Sequence, residues 1–198
     1  MPIPPTVSER LNSQGINYQI IDDVDIAPLH QLCSVDQLNQ SQMVKLVILQ
    51  DSMGHVQALI PADSLLDLTR LNELKGRQLE AITPQEYEQM ARSQGLDHVP
   101  DFPLSDSQPL VVEKRLMANA DLYLEMGNSG HFLKLSQSEF AKLLTHAQEA
   151  EFCVPLEDFS PGSDDRASIE HSVQRFTQLH IKRRLEETLE MPPLPETA

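Results

Sequence analysis

The stretch that most constrains the fold runs from Met43 to Pro61, MVKLVILQDSMGHVQALIP, where a polar turn separates two apolar runs. Valine, isoleucine and leucine dominate both runs, which is typical of strands buried within a sheet. The turn, Asp51 to Gly54, contains a glycine, so the pattern predicts a β-hairpin at the centre of a sheet. Lys45 departs from this pattern because it lies inside the first apolar run.

A lysine between Val44 and Leu46 has two interpretations. Its aliphatic stem can lie along the sheet while the ammonium reaches solvent at the sheet edge. Alternatively, the ammonium points into a cleft and binds an anionic ligand. Taken alone, this stretch favours the solvent-exposed interpretation.

Helix and strand patterns flank the hairpin without regular alternation. Before it, the sequence predicts a short helix capped by Thr6 or Ser8 and ending near Gly15, a strand over 16–21 and a helix over 30–42. After it, the sequence predicts a turn over 61–67, helices over 65–74 and 83–93, strands over 78–82, 110–112, 122–126 and 132–135, and a helix from Ser136 to about Glu149. This irregular order predicts an α/β or mixed α+β fold with a mixed sheet.

The 198 residues suit one domain with an extension, or two small domains. The stretch from Cys153 to Asp165 contains two prolines, glycine, serine and aspartate, which is typical of a linker. We therefore expect a first domain over 1–150, a linker over 151–165 and a helical segment over 166–198.

The formal net charge of −15 is spread along the chain and opposes tight, non-specific binding of nucleic acid, so we expect no DNA partner. No apolar run approaches the roughly 18 residues that a membrane span requires, and the N-terminus lacks a basic region followed by an apolar one. We therefore expect a cytoplasmic protein without a membrane partner.

The cysteines and the acidic turn argue against a metal site. Cys33 and Cys153 are far apart, without a CxxC pair or a histidine cluster, which opposes zinc binding and, in a reducing compartment, a disulfide. Asp22, Asp23 and Asp25 are more typical of a solvated loop than of a divalent metal site. We expect no metal and no cofactor.

The segment from Gly95 to Pro109, GLDHVPDFPLSDSQP, is too rich in proline and aspartate for regular structure. Loops of this length in compact domains are usually kept for function. His98 and Asp101 within it are candidates for proton transfer, although a histidine and an aspartate in a polar loop are more often simply exposed.

The order of these elements resembles the YbaK and prolyl-tRNA synthetase-associated editing domains, a family of aminoacyl-tRNA deacylases, over about residues 6–147. The strings that carry the resemblance are VSERLNSQGINYQII, MVKLVILQD, QALIPADSLLDLTRLNEL and GNSGHFLKLSQSEFAKLL. It implies a mixed, partly closed β-sheet or barrel flanked by helices. The implied activity is hydrolysis, without a metal, of the ester that joins an amino acid to the terminal ribose of tRNA.

The same resemblance implies roles for individual residues. Lys45 would point into the pocket and hold the aminoacyl-adenosine end of tRNA. The second candidate catalytic residue, His98, comes from the loop itself and not from the resemblance. The substrate-binding residues that the resemblance and the loop suggest are Gly95, Val99, Pro100, Asp101 and Pro103 on one side of the pocket, and Gly130 and His131 on the other.

The loop departs from the GxxxP form of that family. Gly95 precedes Pro100 by five positions and Val99 precedes Pro103 by four, so no glycine stands at the expected spacing. A β-branched valine disfavours the positive φ that glycine adopts easily. The sequence therefore leaves three functions open: an aminoacyl-tRNA deacylase, a catalytically impaired fold that acts as a sensory or interaction module, or a structural domain with an unused pocket.

The C-terminal string IKRRLEETLEMPPLPETA resembles the lead-in to an HDOD domain, a helical module of bacterial signal-transduction proteins. This resemblance implies that an HDOD domain of the same protein is one partner. The other expected partner is the acceptor end of aminoacyl-tRNA.

Overall fold

The computed structural model describes residues 3–22, 40–96, 98–103, 105–127 and 131–155, and for Asp22 and His131 it describes only the backbone. These residues form ten strands and four α-helices. The helices are α1 (Pro5–Ser13), α2 (Leu68–Lys75), α3 (Pro84–Ser93) and α4 (Gln137–Leu143). The strands are β1 (Gln19–Asp22), β2 (Met43–Asp51), β3 (Gly54–Pro61), β4 (Ser64–Leu66), β5 (Glu80–Ala81), β6 (Leu110–Glu113), β7 (Asp121–Glu125), β8 (His131–Ser136), β9 (Ala147–Ala150) and β10 (Cys153–Pro155). Two 3-10 helices, Gln40–Gln42 and Lys114–Ala118, precede β2 and β7.

The main sheet is mixed, with strand order β1-β8-β7-β2-β3-β6-β9 and β5 paired to β2. Its antiparallel pairs include β2 with β3, β7 with β8 and β1 with β8. The pairs β2 with β7, β3 with β6 and β6 with β9 are parallel. The predicted mixed α+β fold is confirmed, and the sheet is not closed, because β1 and β9 form its two edges.

The central hairpin of β2 and β3 is confirmed, and it pairs in unbroken register from Val44 opposite Pro61 to Asp51 opposite Gly54. Both faces of β2 are buried. Leu46 and Ile48 pack in the cluster that includes α1, α3 and α4, whereas Val47 and Leu49 pack in a second cluster with α2, β4 and β10. Burial on two faces explains why the run is apolar without alternation.

The hairpin turn is fixed by an ion pair. Arg77 Nε donates to Asp51 Oδ2 at 2.7 Å, and a second guanidinium nitrogen donates to Asp51 Oδ1 and, at 3.0 Å, to the Gly54 carbonyl. Hydrogen bonding from Arg77 is the main reason that the pKa of Asp51 falls to about 2. Gly54 has a φ of +111°, which disfavours any residue with a side chain.

Helix capping follows the sequence in part. Helix α3 begins with a capping box, in which Thr83 Oγ1 accepts from the Glu86 amide and Glu86 Oε2 accepts from the Thr83 amide. Ser136 caps α4, but the Glu139 carboxylate accepts from the Asn17 amide instead. The predicted Thr6 or Ser8 cap of α1 is wrong, because Pro4 occupies that position without a side-chain cap.

Two segments differ from the prediction. The predicted turn over 61–67 contains β4, and α2 starts only at Leu68 because Asp67 accepts from the Arg70 amide and caps it. The helix predicted to reach Glu149 ends at Leu143, and β9 follows it. Because β9 has the sequence AQEA and lies at a sheet edge, its conformation comes from backbone pairing with β6 and not from side-chain propensity.

The packed part of the chain continues into the segment expected to be a linker. Phe152 is fully buried, its amide donates to Glu113 Oε2 at 2.8 Å, and β10 pairs with β4. Cys153 is a free, buried thiol whose pKa burial raises strongly. Cys33, the turn from Asp23 to Asp25, most of the helix predicted over 30–42, and residues 156–198 lie outside the described residues.

No helix within the described ranges is long and apolar enough to cross a membrane.

Candidate functional site

A cavity of about 260 Å³ lies on the face of the sheet that packs against α2. Most of its lining is apolar and comes from β2, β3, β4 and their neighbours: Val47, Leu49, Ile60, Leu66, Leu68 and Ala81. Four polar side chains that contact one another also line it: Lys45, Asp101, Glu125 and His98. The volume is slightly below the usual range for drug-sized ligands, so it suits a group about the size of an amino acid.

Lys45 lies on the same face of β2 as Val47 and Leu49, because side chains alternate along a strand. Its Nζ donates to Asp101 Oδ2 at 2.6 Å and lies 3.5 Å from Glu125 Oε2. Burial lowers the pKa of Lys45, but these two carboxylates outweigh burial and raise it overall. The ammonium is therefore charged, and it is directed into the cavity rather than to a sheet edge.

Asp101 joins the loop to the sheet. Its Oδ1 accepts from the Leu46 amide at 2.9 Å, and its own amide donates to the Glu125 carbonyl at 2.8 Å. Burial raises the pKa of Asp101 and Glu125 adds to that effect, against the opposing pull of Lys45. Because the carboxylate accepts from an ammonium and from an amide, we take Asp101 to be ionised at neutral pH.

His98 and Glu125 form the second half of the cluster. His98 Nε2 lies 3.0 Å from Glu125 Oε1, and the His98 amide donates to the Gly127 carbonyl at 3.1 Å. Burial lowers the pKa of His98, but Glu125 outweighs it and the pKa is raised overall. Protonation of His98 changes the formal charge of the cluster, which includes Lys45 and Asp101, from −1 to zero.

The Lys45 ammonium contacts both carboxylates of this cluster. Among the residues that the structure describes, no group of three or more histidine, cysteine or acidic side chains has an arrangement that could hold a metal ion.

Gly127, two residues after the end of β7, allows the loop to approach the sheet. Its φ is +82°, and a Cβ built there would lie 2.7 Å from the carbonyl oxygen of His98. Only glycine fits this contact without a shift of the backbone. The glycine that supports this loop is therefore in the neighbouring chain segment and not in the loop itself.

The remaining predicted loop residues have different surroundings. Val99 is buried, lines the cavity and accepts a hydrogen bond from the Tyr87 hydroxyl at 3.3 Å. Its φ is not positive, since every described residue with positive φ is a glycine. Gly95 ends the turn after α3 with a φ of +68°, is exposed and does not line the cavity; Pro100 and Pro103 are buried and do not line it either.

Gly130 lies outside the described residues. The backbone of His131 pairs with that of Asp22 at the start of β8.

Glu125 and Gly127 are site residues that the sequence analysis missed. The parallel pairing of β2 with β7 aligns Val44 with Leu124, so Glu125 falls beside Lys45. Glu125 could have been noticed in the sequence as an acidic residue at the end of the apolar run LYLE. Its position beside Lys45, however, depends on the strand order, which local sequence does not encode.

Comparison with known proteins gives a family and a fold. The sequence model of a family described as "Aminoacyl-tRNA editing domain" matches residues 24–143, more than half of the chain. No curated protein matches the chain.

Two solved structures are similar over most of the chain. A candidate signal transduction protein from Marinobacter aquaeolei VT8 is 28% identical with a TM-score of 0.68, and the match covers 98% of this chain and 41% of that protein. This chain thus spans less than half of that protein's length. A candidate trans-editing enzyme for prolyl tRNA synthetase is 19% identical with a TM-score of 0.62, over 77% of this chain and 97% of that enzyme, a likeness of fold.

Proposed function

The chain belongs to the family of aminoacyl-tRNA editing domains, and from this premise we propose that it hydrolyses the ester of mischarged aminoacyl-tRNA. The observation that carries the proposal is the meeting of an apolar cavity with the charged Lys45 ammonium. The cavity takes the amino acid side chain, and the polar cluster takes the ester and the ribose end.

Lys45 acts as the clamp. An ammonium has three hydrogens, and the contacts with Asp101 and Glu125 occupy at most two of them. The third donates to an oxygen of the terminal nucleotide or of the ester carbonyl. A positive charge at this position also stabilises the negative oxygen that develops as water attacks the carbonyl.

His98 moves the proton. Its imidazole contacts Glu125 and lines the same cavity, so it can accept a proton from the attacking water and return it to the ribose oxygen. The amides of His98 and Asp101 donate to carbonyls at the end of β7, so they are not oxyanion donors. Lys45 therefore has the larger share of the electrostatic stabilisation in this proposal.

The partner is the acceptor end of the tRNA and not its body. A chain with a net charge of −15 repels the phosphate backbone, so binding depends on local contacts at the cavity. We expect affinity to vary with the amino acid that is attached more than with the tRNA sequence.

Single-turnover deacylation tests the proposal, with micromolar protein and a panel of mischarged tRNAs. The variants are Lys45→Met, His98→Gln and, as a matched control, Arg92→Gln, which removes a 78% exposed arginine of α3. We expect release of one amino acid by the wild type and the control, and a loss of roughly 100-fold in Lys45→Met. Absence of release from every tRNA, or equal rates in Lys45→Met, would refute the proposal.

A second candidate function is a sensory or interaction module of an HDOD signal-transduction protein. It is favoured by the pairing of Lys45 with two carboxylates and by the likeness to a candidate signal transduction protein of which this chain spans 41%. In this case the cavity binds a ligand without turnover. Ligand-induced thermal stabilisation by aminoacyl-adenosine, with the ester recovered intact, would support this function, and recovery of free amino acid would contradict it.

A further inference from the structure

A second cavity, of about 680 Å³, lies between α1, α4 and the segment that precedes β6. Leu110 and Leu143 in its lining belong to the apolar cluster of Leu46 and Ile48. The apolar lining of the first cavity comes mostly from the other cluster, which includes Val47 and Leu49, and the two cavities share no lining residue. The two cavities therefore lie on opposite faces of the sheet, and the second is not an extension of the site that contains Lys45.

Arg10 of α1 is the most distinctive residue of this second cavity. Its guanidinium lies 5.8 Å from the centre of the Phe102 ring and pairs with Asp106, and only 12% of its side chain is exposed. Its Nε is buried and has no hydrogen-bond partner among the described residues. A buried guanidinium N–H without a partner is costly, so Arg10 retains a strong, positioned donor.

Gln14 lies one helical turn after Arg10 and also lines the cavity. Its Oε1 is buried and has no partner among the described residues. The two ends of a glutamine amide are assigned from their surroundings, so this side chain offers either an acceptor or a donor. Two neighbouring side chains that line one cavity thus each have a buried polar atom without a partner among the described residues.

The charges around the cavity favour an anion. Arg10 and Lys142 line it, against one acidic residue of the lining, Asp106. Lys142 also contacts Glu139 at 2.8 Å and the Gly15 carbonyl at 3.2 Å. The Asp106 and Lys142 side chains are 61% and 43% exposed. Their ion pairs with Arg10 and Glu139 can therefore be broken in favour of a ligand at little cost in free energy.

We propose that this cavity binds a small molecule that carries a phosphate group. A guanidinium with free N–H groups binds phosphate oxygens in a fork. The hydroxyls of Ser105 and Ser107, which also line the cavity, hydrogen-bond each other at 2.8 Å and leave one O–H as a further donor. The volume lies within the usual range for small organic ligands and exceeds what inorganic phosphate fills. The phosphate therefore carries an organic group, which packs against Leu110 and Leu143.

Binding of AMP and of ribose 5-phosphate to the full chain tests this proposal, by calorimetry and by NMR of the Arg10 Nε–H and Gln14 side-chain signals. Adenosine and ribose are the unphosphorylated controls. We expect millimolar or tighter binding of at least one phosphate ester, weakened about tenfold or more in Arg10→Lys, which keeps the charge and removes the fork. Lys142→Met changes an exposed residue, so we expect it to fold and to weaken binding by a smaller factor.

Binding should be unchanged in Arg92→Gln and in Lys45→Met, since neither residue lines this cavity. Equal binding of adenosine and AMP, binding that survives both Arg10→Lys and Lys142→Met, or no binding of either ester would overturn the proposal. Protection of the Arg10 signal by tRNA but by neither small ester would also overturn it, in favour of a nucleic-acid contact. None of these readouts depends on deacylation, so failure here is distinct from failure of the proposed function.

Discussion

The Nζ of Lys45 and the Oδ2 of Asp101 lie 2.6 Å apart although 56 positions separate them in the sequence. The alternation of side chains along β2 directs Lys45 into the cavity. Asp101 is held next to it by two hydrogen bonds: its carboxylate accepts from the Leu46 amide, and its own amide donates to the Glu125 carbonyl. The pair therefore ties the loop after α3 to the centre of the sheet. The two residues therefore line the candidate site and also help to hold the fold together.

This pair should be measurable in a double-mutant cycle of Lys45→Met and Asp101→Asn. Removal of Asp101 leaves the Lys45 ammonium with Glu125 alone, and removal of Lys45 leaves the Asp101 carboxylate with the Leu46 amide alone. Because the remaining charge is buried and loses its nearest partner, each single variant should lose on the order of 3 kcal/mol of unfolding free energy. The double variant should lose less than the sum, with a coupling energy of about 1–3 kcal/mol. Urea unfolding at pH 7 checks this, and strictly additive losses would show that the two charges do not interact in solution.

His98 should make stability depend on pH. Because the pKa of His98 is raised in the folded state, protonated His98 contributes stability that is complete below the unfolded value near 6.5 and is lost as the pH rises through the folded value. The stability difference between wild type and His98→Gln should therefore be largest near pH 5.5 and decline toward pH 9. A difference that grows with pH would mean that Glu125 does not stabilise the imidazolium.

Asp51 should make the stability of the fold depend on pH in the acidic range. Its folded pKa of about 2 lies below the unfolded value, so its contribution is present above about pH 4 and is lost as the pH falls toward 2. Asp51→Asn should be less stable than wild type at pH 7, and the two should converge in acid. Parallel stability curves down to pH 2 would show that the Arg77 pair does not form.

Gly127 should tolerate alanine less well than other glycines with positive φ. Gly127→Ala places a methyl group 2.7 Å from the His98 carbonyl oxygen, whereas Gly76→Ala, at φ +61°, meets nothing within 4 Å. We expect a loss of about 1–2 kcal/mol in the control, from backbone strain alone, and a clearly larger loss in Gly127→Ala. Chemical unfolding with NMR of the His98 region checks this; equal losses would indicate that the close contact does not exist.

The predictable parts of this fold are those decided by neighbouring residues. The hairpin follows from two apolar runs around a glycine turn, and the α3 capping box follows from Thr83 and Glu86. β9 could not be predicted, because the sequence AQEA has no strand preference and pairs only through its neighbour β6. Local propensity fails where long-range backbone pairing decides the structure.

The candidate site was predictable in the same partial way. Lys45 was recognisable as an isolated charge in an apolar strand, but its direction depended on which face of β2 carried the cavity. Glu125 became part of the site only through the parallel pairing of β2 with β7. The departure of the loop from the GxxxP form was visible, whereas the close approach of Gly127 to the His98 carbonyl required the three-dimensional arrangement.

The most direct test of the central claim is calorimetric binding of amide-linked aminoacyl-adenosine analogues, which cannot be hydrolysed and so report on the cavity even if turnover is slow. We predict one binding site per chain. Binding should be weakened roughly 10- to 100-fold in Lys45→Met, and also in Ala81→Leu, because the larger side chain narrows the apolar cavity. The affinity should not change in Lys142→Met, since Lys142 lines the other cavity. Absence of binding by any analogue, or equal affinity in well-folded Lys45→Met, would contradict the assignment of the Lys45 cavity as the place where the aminoacyl end is held.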